Sequence, residues 1–386
     1  MPSNSPKNLS KEIQLAAKYA YPFEKIEFDI KDFANIKQDK LLNILSQNGV
    51  LLTFQKNLST QYSENRSIRQ IVVLIDQIIF KRRHLIADFN QELLDHTDLF
   101  NKCFRRYSIP KFSFFYREQG DIDVLVPEED FKLTLNFLET EGYTKVVEEC
   151  CKATMAKWEG KRIITIDVYS ILAWQPFYLE LISTEEVLSN SVRISLDDQI
   201  SVPVPNGEYC ILVLAVHTLF GGRKVALSDI FQLIGITRSF PEINWHKITS
   251  IADDGGWSQD LLFLFLTVNQ YSKTFYGKKV ITSDVIDLIL DKISILQKPV
   301  RYLSPKVNFR EIPYQDSRLQ TILSSFRVAL KKYGALGLQR LFETYFATRP
   351  RGQGFIESES LRIPWFYEKI VKCQSPHATS CPSEDL

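Results

Sequence analysis

The stretch Gly120-Asp121-Ile122-Asp123-Val124-Leu125-Val126 decides the fold that we expect for this chain. It reads as a β-strand, and successive side chains of a strand point to opposite faces of the sheet. Asp121 and Asp123 therefore share one face, while the alternate Ile and Val side chains enter a core on the other. Two carboxylates held side by side repel each other, so a bound cation is the expected reason for keeping them. Oxygen ligands at this spacing suit Mg²⁺, or Mn²⁺, held through carboxylates and substrate phosphates.

A third carboxylate follows the same logic on a later strand. In Arg162–Tyr169 (RIITIDVY), Asp167 interrupts an apolar run and faces away from the Ile and Val side chains. A carboxylate in a core strand is costly unless it is solvated or bound to something. If the two strands are neighbours, the three carboxylates converge, and two metal ions could then clamp a phosphoryl displacement. In the metal-free protein we expect mutual repulsion, so that removing Asp167 leaves the stability unchanged or slightly raised.

The neighbouring segments complete a compact α/β unit. Lys111–Tyr116 (KFSFFY) is aromatic and predicts a strand before the turn that leads to Gly120. An acidic stretch and an apolar stripe at helical spacing predict a helix over about 128–141, ending at Gly142. Residues 144–147 predict a further strand before the strand that carries Asp167. This order predicts a mixed β-sheet in residues 108–200.

Helical patterns flank this unit on both sides. Before it, apolar residues recur at three- and four-residue steps around 41–45 and 71–79. After it, we predict a helix capped by Asn206 and running to Phe220, a second beginning around Lys224, and a third over 258–271. We therefore predict an α+β fold with four parts: an N-terminal helical region (1–107), the α/β core (108–200), a helical domain (201–300), and a C-terminal helical extension with a polar tail (301–386). The extension includes a helix over 319–347.

Composition narrows the class of protein. The 386 residues include 47 Lys+Arg and 46 Asp+Glu, a net charge of +1, and are 45% hydrophobic. That balance is typical of a globular protein and disfavours nucleic acid as the main partner, because phosphate binding usually brings a basic excess. No run approaches the ~18 apolar residues of a membrane helix, and the polar start MPSNSPKNLSKEIQ lacks a secretory apolar segment. We expect a cytoplasmic protein without a membrane partner.

The motif has a family resemblance. Gly120–Val126, preceded by Arg117 and followed by an acidic helix start and Glu141-Gly142-Tyr143, resembles the DNA polymerase β-type nucleotidyltransferase superfamily. It is similar in particular to the branch of uncharacterised nucleotidyltransferases with the pattern R-x-x-(G/S)-D-I-D-L-L-V. The resemblance covers roughly residues 105–240. It implies a nucleotidyltransferase-type sheet, a nucleoside triphosphate substrate with ATP expected, and catalytic and metal-binding roles for Asp121, Asp123 and Asp167.

One departure concerns the nucleotide's phosphates. The superfamily usually places a Gly-Ser or Lys-Gly pair ten to twenty residues before the carboxylates, and this sequence has neither; Ser108, Lys111 or Arg117 could substitute. We assign nucleotide binding to a set of cationic and glycine positions: Lys111, Arg117, Gly120, Arg223 and Lys224. The last two follow Gly221-Gly222 at an expected helix start, where phosphate is favoured. His217 matches a histidine-containing helix of the resembled branch, and we expect it to be a buried histidine rather than a ligand.

Two functions from different classes follow. The first is a metal-dependent nucleotidyltransferase that moves a nucleoside monophosphate from an NTP to an acceptor hydroxyl or amine, with a small-molecule acceptor favoured. The alternative is a catalytically inactive relative that serves as a nucleotide-sensing or protein-interaction module, since the Gly-Ser pair is missing. An RNA-modifying transferase is disfavoured by the near-zero net charge.

Overall fold

The computed structural model describes residues 9–27, 29–59, 66–82, 87–148, 151–159, 162–174, 179–220, 224–293, 314–315 and 328. The α-helices in these ranges are α1 Lys11–Tyr19, α2 Gln38–Gln47, α3 Leu51–Ser59, α4 Arg66–Arg82, α5 Phe89–Cys103, α6 Phe131–Thr140, α7 Thr184–Ser189, α8 Gly207–Phe220, α9 Leu227–Ser239, α10 Trp245–Asp254, α11 Ser258–Tyr276 and α12 Ser283–Lys292. The strands are β1 Ala87–Asp88, β2 Glu118–Gln119, β3 Ile122–Leu125, β4 Thr144–Glu148, β5 Lys152–Glu159, β6 Arg162–Tyr169, β7 Ala173–Trp174, β8 Leu179–Glu180, β9 Ser191–Ser195, β10 Ser201–Pro205, β11 Lys224–Val225 and β12 Tyr314–Gln315. The predicted helix over 319–347 lies outside the described residues except at Val328.

A four-stranded mixed sheet carries the central motif. Its strand order is β3-β6-β5-β4, with β3 parallel to β6 and the other pairs antiparallel. The predicted α+β fold with a mixed sheet and helices before and after it is confirmed. The sequence did not predict β5, which lies between β6 and β4 and contributes two side chains to the site.

Helix α6 covers the apolar face of the sheet. Its Phe131, Leu135 and Leu138 are buried, as the predicted stripe requires. Gly142 follows the helix with φ +87°, a left-handed conformation that favours glycine. This turn returns the chain into β4, and α6 packs on β4, β5 and β6.

The predicted strand over Lys111–Tyr116 is wrong. This segment is irregular, and two of its aromatic residues, Phe112 and Phe115, are buried. Gln232 of α9 replaces a strand partner: its side-chain oxygen accepts from the Phe114 N–H (3.1 Å), and its amide donates to the Phe112 carbonyl. Burial against a helix, with one amide side chain satisfying the main chain, explains why an aromatic run is not a strand here.

The helix predicted to begin around Lys224 also differs. Lys224 and Val225 form β11, which pairs with β12, and α9 begins only at Leu227. The Asp229 carboxylate accepts from the Ala226 N–H at 2.8 Å and so fixes the helix start. Lys224 therefore lies before the helix rather than in its first turn.

One hydrophobic cluster joins the N-terminal helices, the sheet and the helices after it. Asn48, which follows α2, accepts from the Leu227 N–H at 3.1 Å, which links the two helical regions directly. The division into four parts at 107, 200 and 300 stays a prediction. Among the described helices, none combines the length and the apolar character that crossing a membrane requires.

Gly235 of α9 gives a stability prediction for this packing. A Cβ at this position would lie 2.6 Å from the Phe114 Cβ. We expect Gly235→Val to lower the free energy of unfolding by about 3 kcal/mol, because overpacking forces the Phe114 segment to move. Urea unfolding measures this. Ser239→Val, at an exposed position of the same helix, should change it by less than about 0.5 kcal/mol; equal effects of the two variants would contradict this packing.

Candidate active site

Three carboxylates converge at one place on the sheet. Asp123 of β3 and Asp167 of β6 are register partners in the parallel pair, and Asp121 immediately precedes β3. One carboxylate oxygen from each residue lies within 4.8 Å of the other two. Asp123 and Asp167 are buried, whereas Asp121 is partly exposed. The geometry that the strand alternation predicts is therefore present.

Two lysines neutralise the two buried carboxylates. Lys111 Nζ lies 2.8 Å from Asp123 Oδ1, and Lys152 Nζ lies 2.5 Å from Asp167 Oδ2. Thr154 donates its hydroxyl to Asp167 Oδ1 at 2.6 Å. Burial alone would raise the pKa of Asp123, but Lys111, Lys152 and the Tyr169 hydrogen bond together outweigh that effect and the pKa is lowered. Burial would likewise lower the pKa of Lys111, yet Asp123 and Asp121 raise it, so both groups stay charged.

Tyr169, the last residue of β6, lies between the two lysines. Its ring centroid is 5.6 Å from Lys111 Nζ and 5.1 Å from Lys152 Nζ. Burial first, and then the carboxylate of Asp123, raises the pKa of Tyr169 well above its usual range. The phenol therefore keeps its proton and donates it in a hydrogen bond to Asp123.

Asp121 is the carboxylate without such compensation. Burial, followed by the charges of Asp123 and Asp167, raises the pKa of Asp121 to about 7. Among the described ion pairs, those of this site reach Asp123 and Asp167 but not Asp121. The repulsion expected from the sequence is thus concentrated at Asp121, whereas Asp167 has its own cation and hydroxyl partner.

The nucleotide-binding candidates are distributed unevenly. Lys111 pairs directly with Asp123, Gly120 is an exposed position next to Asp121, and Arg117 is partly buried before β2. Lys224 is exposed in β11, and Arg223 lies outside the described residues. Ser108, the remaining candidate for the missing phosphate loop, is buried and its hydroxyl accepts from Ser191 at 2.8 Å. Its hydroxyl already has a partner inside the protein.

His217 differs from the expectation of a buried histidine. In α8, whose other side chains are mostly buried, its imidazole is exposed. Desolvation by surrounding protein, and then the charge of Lys111, lowers the pKa of His217 to about 3. His217 is therefore a neutral side chain, and the charges of Lys111, Asp123 and Lys152 act on its pKa.

Asp229, near the start of α9, is a further carboxylate with a shifted pKa. Burial raises the pKa of Asp229 to about 6, against the opposing charges of Arg117 and Lys224. Two of the nucleotide-binding candidates, Arg117 and Lys224, are thus close enough to Asp229 to act on its charge. The Asp229 carboxylate therefore interacts with both of these positive charges.

Lys152, Thr154 and Tyr169 are the site residues that sequence reasoning missed. Lys152 and Thr154 occupy alternate positions of β5, and their register partners are Tyr169 and Asp167. Recognising β5 as the partner of β6 would have placed all of them on one face. Without that strand, neither polar residue could be connected with the carboxylates.

A family model described as uncharacterised nucleotidyltransferase matches residues 34–272. Comparisons with curated proteins and with solved structures give no match. The family match extends beyond the 105–240 region of the motif resemblance and includes helices on both sides of the sheet. Because it spans more than half of the chain, the protein belongs to this uncharacterised nucleotidyltransferase family, for which nucleotidyl transfer is the general function and a nucleoside triphosphate the substrate.

Proposed function

We propose that the protein transfers a nucleoside monophosphate from an NTP, with ATP as the expected donor, to the hydroxyl or amine of a small-molecule acceptor, with pyrophosphate leaving. The acceptor's nucleophilic atom forms a bond to the α-phosphorus, the bond from that phosphorus to the bridging oxygen breaks, and the acceptor loses one proton. The observation that carries the proposal is the convergence of Asp121, Asp123 and Asp167 within 4.8 Å.

The donor set fits a hard divalent cation. Carboxylate oxygens are the ligands that Mg²⁺ and Mn²⁺ take, and a carboxylate with a pKa near 7 gains most from a nearby cation. Asp121, Asp123 and Asp167 would hold the metal. When bound, the metal would neutralise the triphosphate and orient it for in-line displacement.

The side chains around the carboxylates supply binding and orientation. In this proposal Lys111 and Arg117 bind the triphosphate, Gly120 leaves room beside Asp121, and Arg223 and Lys224 are further phosphate contacts. Asp167 orients the acceptor and accepts its proton. Positioning and charge complementarity of this kind contribute most of the rate acceleration in phosphoryl and nucleotidyl transfer.

The test of the function is label transfer. The protein is incubated with Mg²⁺ and each of the four α-³²P-labelled NTPs in turn, together with separate small-molecule, protein and nucleic-acid fractions of a cell extract. We expect label to move onto a compound of the small-molecule fraction, with pyrophosphate released in equal amount. Label on nucleic acid would contradict the acceptor class. No transfer from any NTP would favour the inactive nucleotide-sensing or protein-interaction module.

A second measurement concerns stability with ligands. We expect Mg²⁺ or Mn²⁺ alone to raise the melting temperature slightly, and the metal with the donor NTP to raise it by several degrees, because only the native state binds them. Asp121→Asn/Asp123→Asn should remove the additional shift. Glu128→Gln/Glu129→Gln is the matched control, since both carboxylates are exposed just after β3. A full shift in the aspartate double variant would place the metal elsewhere.

A further inference from the structure

The two buried carboxylates that a metal would use already have partners within the protein. Asp167 accepts from Thr154 at one oxygen and from Lys152 at the other. Asp123 accepts from Lys111 and from the Tyr169 hydroxyl. Each lysine therefore competes with a divalent cation for its buried carboxylate, because the two positive charges repel each other.

The lysines are the partners that can leave. Their side chains keep 23% (Lys111) and 28% (Lys152) of their surface exposed, whereas both carboxylates are buried. An ammonium on a flexible four-carbon stem can rotate toward solvent without a change of the backbone. Thr154, in contrast, is buried on β5 and has no comparable freedom.

The ring of Tyr169 favours a cation beside the carboxylates. Lys111 Nζ and Lys152 Nζ lie 5.6 and 5.1 Å from its centroid, within the range of a cation–π contact. A partly buried cation that loses its carboxylate is costly unless another anion replaces it. The anion that arrives together with a divalent cation in a nucleotidyltransferase is the triphosphate.

We propose that Lys152, together with Lys111, is an exchangeable counter-cation: its ammonium neutralises Asp167 in the metal-free protein and turns to the triphosphate when a metal-bound triphosphate occupies the carboxylates. This rests on the proposed function and adds a triphosphate-binding residue, on β5, to the site. It also accounts for the missing Gly-Ser pair, because two lysine point charges supply the phosphate contacts instead.

Lys152→Met tests the exchange through two binding constants. Mn²⁺ alone is titrated and free Mn²⁺ is followed by electron paramagnetic resonance. Inorganic triphosphate is then titrated at saturating Mn²⁺, so that no base preference enters. We expect Lys152→Met to bind Mn²⁺ alone about tenfold more tightly and Mn²⁺-triphosphate about tenfold more weakly, since the lysine competes with the first and binds the second.

Two further variants make the result specific. Lys157→Met changes the same residue type on the opposite face of β5, where Lys157 pairs weakly with Glu159 at 3.8 Å; both constants should stay within about twofold of the wild type. Lys152→Arg keeps the charge and should retain most of the triphosphate affinity. It is the variant to compare if Lys152→Met does not fold, and a loss of triphosphate affinity as large as that expected for Met would overturn the proposal.

The binding results distinguish a failure of the lysine exchange from a failure of the proposed nucleotidyl transfer. A wild type that binds Mn²⁺-triphosphate, with a Lys152→Met variant whose two affinities fall together or do not change, overturns the exchange and leaves the proposed function standing. A wild type that binds Mn²⁺ but no triphosphate or NTP overturns both. Opposite changes of the two constants support the exchange, because a purely structural lysine would not produce them.

Discussion

Asp121→Asn should abolish nucleotidyl transfer and at the same time stabilise the metal-free protein. We expect transfer to fall by about 10³-fold, because the variant removes a charge from the group proposed to hold the metal. The same charge is unfavourable without metal: burial and two neighbouring carboxylates raise the pKa of Asp121 to about 7. Replacing it with a neutral isostere should raise the free energy of unfolding at pH 8 by on the order of 2 kcal/mol.

The pH dependence of the stability gained in Asp121→Asn identifies the charge of Asp121 as its cause. The usual pKa of an aspartate, 3.8, applies in the unfolded chain, and the folded value is about 7. Between these values the native state binds more protons than the unfolded state, so the wild type loses stability as the pH rises. The gain from Asp121→Asn should therefore be nearly absent at pH 4, grow from pH 4 to 7, and be complete above pH 7.

Urea unfolding in EDTA at pH 4, 6 and 8 measures this gain, and label transfer measures the loss of activity. Glu129→Gln, an exposed carboxylate just after β3, should change neither quantity appreciably. A gain that is the same at every pH would show that something other than the charge of Asp121 is responsible. Full activity in Asp121→Asn would remove Asp121 from the metal site.

The sequence predicted the parts of the site that depend on alternation along a single strand. Asp123 and Asp167 interrupt apolar strands and Asp121 immediately precedes one, and the period of two places the carboxylates on the face opposite the apolar side chains. The parallel pairing of β3 with β6 then brings them together. Local pattern identified the individual residues, because a charged residue in a buried strand is itself a signal, whereas their convergence depended on the pairing of the two strands.

The parts that sequence reasoning missed depend on tertiary pairing. Lys152–Glu159 contains Lys, Ala, Met and Glu, which favour helices, and it becomes a strand through its pairing with β6 and β4. In Lys111–Tyr116 the local propensity is misleading in the opposite direction. Its aromatic residues favour a strand, but Gln232 holds the segment against a helix. Lys152 and Thr154 could be recognised as site residues only after the register of β5 was known.

Asp167→Ala should also reduce transfer by about 10³-fold, but its effect on stability should be opposite to that of Asp121→Asn. Repulsion alone predicts that removing the charge of Asp167 leaves the metal-free protein as stable as before. The contacts of Asp167 reverse this expectation. The variant leaves the Lys152 ammonium and the Thr154 hydroxyl without their acceptor, which should cost about 2 kcal/mol even though Lys152 can still reach water.

The pairing with Lys152 is tested by a double-mutant cycle. Asp167→Ala, Lys152→Met and the double variant are unfolded in urea without metal, and the double variant should recover part of the stability lost in Asp167→Ala, because no uncompensated ammonium remains. Asp167→Asn, which keeps an acceptor for Thr154, should lie between Asp167→Ala and the wild type. An Asp167→Ala variant as stable as the wild type would mean that repulsion among the carboxylates outweighs the ion pair at this residue as well. Opposite stability changes in Asp121→Asn and Asp167→Ala, with equal losses of transfer, would instead show that the two carboxylates differ in the metal-free protein. The charge of Asp167 is then stabilised by Lys152 before any metal binds, whereas the charge of Asp121 depends on the metal.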